Sequence, residues 1–306
     1  MTSKSNAARF GCCLAMLLAL PGARSQQLEP RVYSNAPVGM NFLIAGYAYS
    51  TGGLSTNPAL KITNAELKVN TPVVAYARAL DAWGMSGKFD AILPAGCLAG
   101  SAEVDGDSRT RDVCGLVDPA FRFSVNFLGA PALTLKEFAS YRQDLVAGAS
   151  LQVLPPWGQY DPTRLVNLGT NRWTFRPEVG ISKTLDALTV EFALGASVYS
   201  TNHDFFGGRV LEQDPMYSGQ AHLIYQFRNG TWAALNGTWY TGGRTTVNGV
   251  RGDDRQTASR VGATLALPVD RHNSIKLYAS TGVSIRTGTD FDTLGIAWQY
   301  RWGGGL

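Results

Sequence analysis

The sequence predicts an all-β protein, a transmembrane up-and-down antiparallel β-barrel of about 12 strands. Three observations predict it. Apolar and polar residues alternate in many segments of about ten residues, short and long connections follow one another along the chain, and the first 25 residues have the layout of an export signal. We therefore assign residues 1–25 to a signal peptide and residues 26–306 to one outer-membrane barrel domain.

The leader has three parts. Lys4 and Arg9 form a basic region, residues 12–20 are an apolar run, and Pro21 and Gly22 end it. Residues 23–25, Ala-Arg-Ser, place small side chains at the two positions that a signal peptidase reads. The run is too short to remain as a membrane anchor, so we expect cleavage after Ser25 and export from the cytoplasm.

Composition excludes several classes of protein. A hydrophobic content of 45% argues against disorder, and no run of about 18 apolar residues follows the leader, as a membrane helix would require. Three of the 27 basic residues lie in the leader, so the mature chain is nearly neutral against its 23 acidic residues. That balance gives no reason to expect a nucleic-acid partner.

Alternation is clearest at the C-terminus, where Leu294, Ile296, Trp298, Tyr300 and Trp302 share one face and Arg301 lies on the other. We expect the aromatic face to contact lipid and Arg301 to face inward. The same period of two recurs in residues 121–127, 145–153, 173–181, 190–198, 222–228, 233–240, 260–267 and 275–286. A soluble exported β-sandwich also alternates, but its strands would not carry arginine and glutamate opposite a face that ends in large aromatics.

The N-terminal third is less regular. Residues 41–50 are apolar on both faces, so the orientation of this first strand stays open. For the second strand we expect the more apolar residues on the lipid side and the polar ones inside. The first set is Leu67, Val69, Val73, Ala75 and Ala77, and the second is Glu66, Lys68, Asn70, Tyr76 and Arg78.

Connection lengths predict the topology. Residues 80–82, 184–188, 229–231 and 270–273 form short periplasmic turns, and residues 51–63, 94–117, 155–170, 204–215 and 242–257 form long outer loops. One long connection, 129–143, falls on the periplasmic side, where residues 133–141 are expected to form a short amphipathic helix. Both ends of the barrel domain are then periplasmic.

Only Cys97 and Cys114 remain after the leader is removed. An even number of cysteines in an exported chain favours a disulfide, here one that closes the loop 94–117, over two free thiols. The three histidines are too scattered to complete a zinc site with them.

Particular strings resemble an outer-membrane family named for the meta-pathway of phenol degradation. They are Gly-Leu-Val-Asp-Pro at 115–119 with the strand 121–127 and Gly-Ala-Pro-Ala-Leu at 129–133, Pro-Pro-Trp-Gly-Gln-Tyr-Asp at 155–161, Asn-Leu-Gly-Thr-Asn-Arg-Trp at 167–173 and Trp-Gln-Tyr-Arg-Trp at 298–302. The resemblance implies an outer-membrane barrel that takes up aromatic or other small compounds. One departure is that residues 303–306 follow the aromatic on which a barrel-assembly signal usually ends, although Leu306 keeps the phase.

The inward-facing charges are the main candidates for a functional site. By phase the inward cations are Lys68, Arg78, Lys88, Arg122, Arg176, Arg228, Arg260, Lys276, Arg286 and Arg301, and the inward anions are Glu66, Asp90, Asp144, Glu178 and Glu191. From these we select as lumen-lining selectivity candidates Arg122, Arg176, Glu178, Glu191, Arg228, Arg260, Lys276, Arg286 and Arg301, together with His222. An excess of cations in a low-dielectric wall attracts anions. The alternative is that the same charges pair across strands and fill a narrow interior.

Catalysis is not expected. A lipid-cleaving barrel needs a serine–histidine pair with a third, orienting group on one strand face, and neither His203, His222 nor His272 has such neighbours. Two classes of function stay open: a passive barrel for small, aromatic or anionic solutes, and a closed structural or partner-binding barrel with loops plugging the lumen. We expect outer-membrane lipid, the barrel-assembly machinery and a small-molecule solute as partners, and no cofactor or metal.

Overall fold

The computed structural model describes residues 29–55, 62–104 and 107–306. The predicted signal peptide lies outside these residues. The elements are β1 (Met40–Ser55), β2 (Ile62–Ala82), β3 (Met85–Val104), β4 (Asp107–Leu116), β5 (Ala120–Pro131), α1 (Leu135–Phe138), β6 (Leu145–Leu154), β7 (Thr174–Leu185), β8 (Leu188–Tyr199), β9 (Asn202–Phe205), β10 (Arg209–Gln213), β11 (Met216–Gln226), β12 (Trp232–Gly242), β13 (Thr245–Val247), β14 (Val250–Arg251), β15 (Gln256–Pro268) and β16 (Asn273–Gly303).

The sheet closes on itself. Neighbours follow the order β2, β1, β16, β15, β12, β11, β8, β7, β6, β5 and β3, and β3 pairs back onto β2. The element β16 supplies two strands, because residues 274–287 pair with β15 and residues 288–303 pair with β1. All the pairings are antiparallel. The predicted fold, a closed antiparallel barrel of 12 strands, is confirmed.

The two faces of the wall differ as a bilayer requires. Large apolar side chains such as Phe192, Leu194 and Leu294 project outward, while Glu191 and Thr293 on the same strands are buried inside. Trp298 and Trp302 are exposed on the outer face and stack on Tyr300 between them, with ring centroids 6.1 and 5.6 Å apart. The outer surface is thus an apolar band with aromatics at its edge, which matches the lipid-facing register predicted for the last strand.

The orientation predicted for β2 is wrong. Ala65, Leu67, Val69, Ala77 and Ala79 are buried inside the barrel, whereas Glu66, Lys68, Val74 and Arg78 are exposed on the outer face. The buried Leu67 and Val69 pack with Leu98, Leu168 and Phe291 in an apolar cluster inside the barrel. Because this cluster is apolar, the apolar face of β2 turns inward there, and the strand carries the same phase throughout.

The first strand, whose orientation the sequence left open, follows from its pairing with β2. Ala45, Tyr47 and Tyr49 face outward, and Tyr47 donates a hydrogen bond to Asn70 of β2. The alternate positions, among them Gly46 and Ser50, lie on the interior face. Ser50 bonds to Thr293 of the last strand, so β1 ties both neighbours together.

Short and long connections lie at opposite ends, which we call the short-turn end and the long-loop end. The turn between β2 and β3 is two residues, Trp83 and Gly84, both with positive φ of 57° and 81°. A two-residue hairpin turn whose twist matches that of its strands requires positive φ at both residues. The connection from β5 to β6 carries α1, which lies within the helix predicted for residues 133–141 and is capped by Thr134 and Glu137.

The long-loop end is more ordered than a set of loops. Residues 94–117, predicted as a loop, are mostly strand: β3 runs on past the barrel and β4 pairs with it as a hairpin. Strands β9, β10, β13 and β14 form a separate four-stranded sheet. The connection from β6 to β7 folds inward, where Asp118 accepts hydrogen bonds from the backbone N–H groups of Gly158 and Thr170 at 2.8 and 2.9 Å.

The predicted disulfide is present. Cys97 and Cys114 are direct partners on β3 and β4, with Cα atoms 4.0 Å apart. The bond therefore crosslinks the two arms of the projecting hairpin. Among the described residues no helix is both long and apolar enough to cross a membrane.

Replacing both cysteines by serine should destabilise the hairpin β3–β4 by about 3 kcal/mol, because the crosslink restricts an unfolded loop of 17 residues. We expect faster proteolysis at Arg109 and Arg111 of the double variant, with the barrel wall still resistant. Equal cleavage rates with and without the disulfide would contradict a stabilising role.

A cation on the lipid face should cost about 2–4 kcal/mol of folding free energy in vesicles when it lies near the bilayer midplane. Val74→Arg and Leu223→Arg test this on opposite sides of the barrel, and Gln220→Arg on the inner face is the matched control. The control should fold with little loss. If Val74→Arg behaved like the control, the inverted register of β2 would be refuted.

Candidate functional site: the barrel interior

The strand β7 and the residues just before it show how the interior is organised. Arg172, Thr174, Arg176, Glu178 and Gly180 follow one another at every second position and face inward. Because side chains two apart on a strand lie on one face, they form a vertical file from the long-loop end towards the short-turn end. In this file Thr174 lies between the two cations Arg172 and Arg176, the carboxylate Glu178 follows, and Gly180 is last.

The chain itself occupies part of the lumen towards the short-turn end. Residues 29–39, which precede β1, run inside the barrel and reach its wall at the short-turn end. There the N–H of Val38 bonds to the carbonyl of Leu133 at 2.8 Å, and the N–H of Gly39 bonds to that of Ala79 at 3.0 Å. We call residues 29–39 the inner segment.

The inner segment is seated by one tyrosine in a slot of small residues. Gly148 and Gly180 are register partners on β6 and β7, and Gly180 pairs with Ala193 on β8. The ring of Tyr33 lies against this row. A Cβ atom built at Gly148 would lie 2.7 Å from the ring, and one at Gly180 only 2.2 Å from it. Tyr33 is 2% exposed, and its hydroxyl donates a hydrogen bond to Glu178 at 2.8 Å.

Charged contacts fix the rest of the inner segment. Glu29 accepts a hydrogen bond from Arg122 at 3.0 Å, and Arg122 also bonds to Asp90 of β3 at 2.8 Å. The N–H of Arg31 donates to the buried carboxylate of Glu191 at 2.8 Å. Removing one partner of a buried ion pair strongly destabilises the protein, because the other charge is left buried and unpaired. The pair of Glu29 with Arg122 therefore holds the segment in place.

A polar cavity of about 90 Å³ lies next to the inner segment. Glu29 and Val32 of the segment line one side. The wall supplies polar groups from β5 to β12, namely Arg122, Ser150, Gln152, Arg176, Glu178, Ser197, Ser218, Gln220 and Thr238. The lumen is therefore narrowed by the segment but keeps a water-sized, hydrogen-bonding space.

Several buried arginines lack a carboxylate partner. Arg176 makes one contact of 3.5 Å, to the amide oxygen of Gln152, and its Nε is buried with no partner. Arg260 is 3% exposed and bonds to the hydroxyl of Ser280 and the carbonyl of Phe291. Within the described residues the hydrogen bonds of both guanidinium groups thus go to neutral oxygens and not to a carboxylate.

Arg172 repeats the pattern at the long-loop end, outside the strands. It lies over the ring of Tyr199 at 4.4 Å, is 4% exposed and donates a hydrogen bond to Gln213. Burial lowers the pKa of Arg172 to about 10, which still leaves the guanidinium protonated at neutral pH. A permanently charged group therefore lies above Arg176 in the same file.

The structure brings some of the predicted site residues together and separates others. Arg122, Arg176 and Glu178 line the cavity, and Glu191 and His222 are register partners closer to the short-turn end. Lys276 faces inward in the part of β16 that pairs with β15. Arg301 also faces inward but bonds to the carbonyl of Arg271 at the short-turn end, away from the cavity.

Other predicted members do not line the lumen. Arg228 is exposed in the turn between β11 and β12, because β11 ends at Gln226 and the register of the wall no longer applies beyond it. Lys68, Arg78 and Glu66 face outward with the rest of their face of β2. Asp144 precedes β6 and pairs with Lys183 near the surface. The side chain of Arg286 lies outside the described residues.

The inner segment is the functional element that sequence reasoning missed. Its residues do not alternate, so the period of two gives no signal for it. A signal was nevertheless present in the wall, since inward positions on two paired strands, Gly148 and Gly180, both lack side chains. Such a gap in a narrow lumen indicates that another part of the chain fills it.

His222 and His272 take part in structural contacts. His222 is buried and bonds to Asn236 at 2.8 Å, and Asn236 bonds on to Thr264, so three neighbouring strands share one polar chain. His272 contacts the carbonyl of Arg301 in a turn. In the described part of the chain no three histidine, cysteine, aspartate or glutamate side chains are grouped so that they would hold a metal ion.

Comparison with known proteins gives the family. The family model described as "Putative MetA-pathway of phenol degradation" matches residues 53–300, which is most of the chain. The chain belongs to this family. The resemblance inferred from the sequence motifs is thereby confirmed.

Solved structures similar to this family member are outer-membrane barrels. The COG4313 outer membrane channel from Pseudomonas putida F1 shares 20% identity and a TM-score of 0.77, over 90% of this chain and 100% of that one. The β domain of the Bordetella autotransporter BrkA shares 10% identity and a TM-score of 0.50, over 86% and 100% of the two chains. At these identities the likeness supports the fold. None of the curated proteins matches.

Filling the slot should release the inner segment. In Gly148→Ala and Gly180→Ala the new methyl group overlaps the ring of Tyr33, and overpacking of this kind typically costs about 1–3 kcal/mol. We expect trypsin to cleave after Arg31 faster in both variants than in the unmodified protein. Gly237→Ala is the control, because a Cβ atom there meets nothing within 4 Å. Cleavage at the unmodified rate in both slot variants would show that Tyr33 does not seat the segment.

Proposed function

We propose that the protein is a bacterial outer-membrane barrel for the passive uptake of small solutes, with a preference for anions, including aromatic acids. The supporting observation is the pair Arg172 and Arg176, two buried inward cations in one file to which no carboxylate of the described residues is hydrogen-bonded. In a low-dielectric passage such charges lower the barrier for anions and raise it for cations. The phenol-degradation name of the family agrees with aromatic solutes.

The excess of positive charge extends over the described wall and segment. Among the described residues the inward or buried cations are Arg31, Lys88, Arg122, Arg172, Arg176, Arg260, Lys276 and Arg301, and the inward or buried carboxylates are Glu29, Asp90, Asp118, Glu178, Glu191 and Asp254. Three of these carboxylates lie at the inner segment, where Glu29 bonds to Arg122, Glu178 to Tyr33 and Glu191 to Arg31. The cavity above the segment is therefore the place where the cations act on a solute.

A closed structural barrel is the second candidate. The observation that favours it is the inner segment, which is bonded to the wall along its length and occupies space beside the small cavity. The two functions differ in one property. A closed barrel passes nothing while folded, whereas a passive barrel conducts with a bias set by the wall charges.

Anion preference should appear as a reversal potential across a planar bilayer that separates a high from a low concentration of potassium benzoate. Arginine stays protonated at any working pH, so the bias should persist from acid to neutral conditions. It should weaken as salt shortens the Debye length from about 10 Å at 0.1 M to about 3 Å at 1 M. The double variant Arg172→Gln/Arg176→Gln should lose most of it.

Arg228→Gln serves as the matched control, because it removes one cation from an exposed turn outside the lumen. Benzylammonium, a cation of similar size added as its chloride salt, should permeate more slowly than benzoate. Cation preference in the unmodified protein, or a folded barrel that is silent to both solutes, would rule out the proposal.

A further inference from the structure

The cavity beside the inner segment is lined by polar groups, and not all of them find a hydrogen-bond partner among the described residues. Glu178, the carboxylate nearest to Arg176 along the strand, accepts hydrogen bonds on both oxygens from neutral donors, the Tyr33 hydroxyl and the Gln220 amide at 2.9 Å. Glu29, the other carboxylate, is bonded to Arg122, which also holds Asp90. Both acids of the cavity thus have partners other than Arg176.

Two polar atoms are left over. The Nε of Arg176 and the hydroxyl of Thr238 are buried and without a partner, and both residues line this cavity. A buried polar atom without a hydrogen bond is costly, and a buried cation more so. The remaining lining adds hydroxyl and amide donors, from Ser150, Ser197 and Ser218 and from Gln152.

An occupant that satisfies this lining has to be small, anionic and able to accept several hydrogen bonds. A planar carboxylate fits, since its two oxygens match the fork of an arginine and take further bonds from hydroxyl groups. The volume of about 90 Å³ favours a compact one. A divalent anion is disfavoured, because Glu29 and Glu178 line the same space.

We propose that this cavity is a binding site for a small monovalent carboxylate, with Arg176 as its principal ligand. The proposal rests on the proposed function, because it names the step at which an anion pauses on its way through the barrel. The site binds the carboxylate by charge and hydrogen bonds alone, and Thr238 supplies a further contact from β12, three strands along the wall from β7. Binding is an equilibrium property and does not require that the barrel conducts.

The test uses the full mature chain folded in detergent micelles and ¹³C-labelled acetate as the probe. The dissociation constant is measured from broadening of the carboxyl resonance at fixed ionic strength. Arg176→Gln should weaken binding by about tenfold or more, since it removes a charge-assisted hydrogen bond. Arg176→Lys should weaken it less, because the charge remains and the fork is lost.

Two further variants separate the site from general charge effects. Glu178→Gln removes a carboxylate from the lining and keeps an oxygen that accepts from the Tyr33 hydroxyl. It should tighten binding several-fold, a change opposite in sign to that of Arg176→Gln. Arg228→Gln, which removes an exposed cation, should leave the constant within about twofold. A difference in mobility between unheated and heated protein on denaturing gels shows whether each variant has folded, and Arg176→Lys with Glu178→Gln carry the test if Arg176→Gln has not.

Absence of acetate binding to the unmodified protein, or equal binding by the Arg176 and Arg228 variants, would overturn the proposal. Specific acetate binding in a barrel that does not conduct would leave the site standing and refute passive uptake. Anion-selective conductance without acetate binding would do the reverse.

Discussion

Closure of the sheet is the constraint on which the rest of the structure depends. Within hydrocarbon every backbone N–H and C=O must find a partner in the protein, so the first and last strands have to pair along their whole length. They do so from Met40 with Gly303 to Ser55 with Gly288. Once the ring is closed, the period of two assigns each side chain to lipid or lumen, and no strand can change phase alone.

A closed ring of 12 strands encloses a lumen of modest width, and the inner segment uses much of it. The slot made by Gly148, Gly180 and Ala193 lets the ring of Tyr33 lie flat against the wall. The hydroxyl of the same tyrosine donates a hydrogen bond to Glu178. Seating the segment and leaving Arg176 without a carboxylate are therefore two consequences of one contact.

The sequence predicted the barrel, its strand number, the disulfide and the faces of the later strands, because lipid on one side and polar groups on the other enforce a strong alternation. It failed on β2, where alanines face inward at Ala77 and Ala79 and Leu67 belongs to an apolar cluster inside the barrel. Both faces of that strand are apolar for different reasons, so hydrophobicity alone does not assign them.

The candidate site was predictable only in part for a similar reason. Phase correctly turned Arg122, Arg176, Glu178 and Glu191 inward, but it carries no information on which charges pair. Pairing depends on the inner segment, whose Glu29 and Arg31 bond to Arg122 and Glu191 from a stretch without alternation. Arg228 was wrongly predicted to face inward because the alternation of apolar and polar residues continues past Gln226, where the strand ends.

The central claim is that the inner segment narrows a cationic lumen that otherwise conducts. Single-channel conductance of the barrel with and without residues 26–38 tests this claim most directly. We expect the shortened chain to conduct several-fold more current and to retain anion preference, because the arginines belong to the wall. Equal conductance in the two proteins, or a shortened barrel that stays closed, would contradict the account.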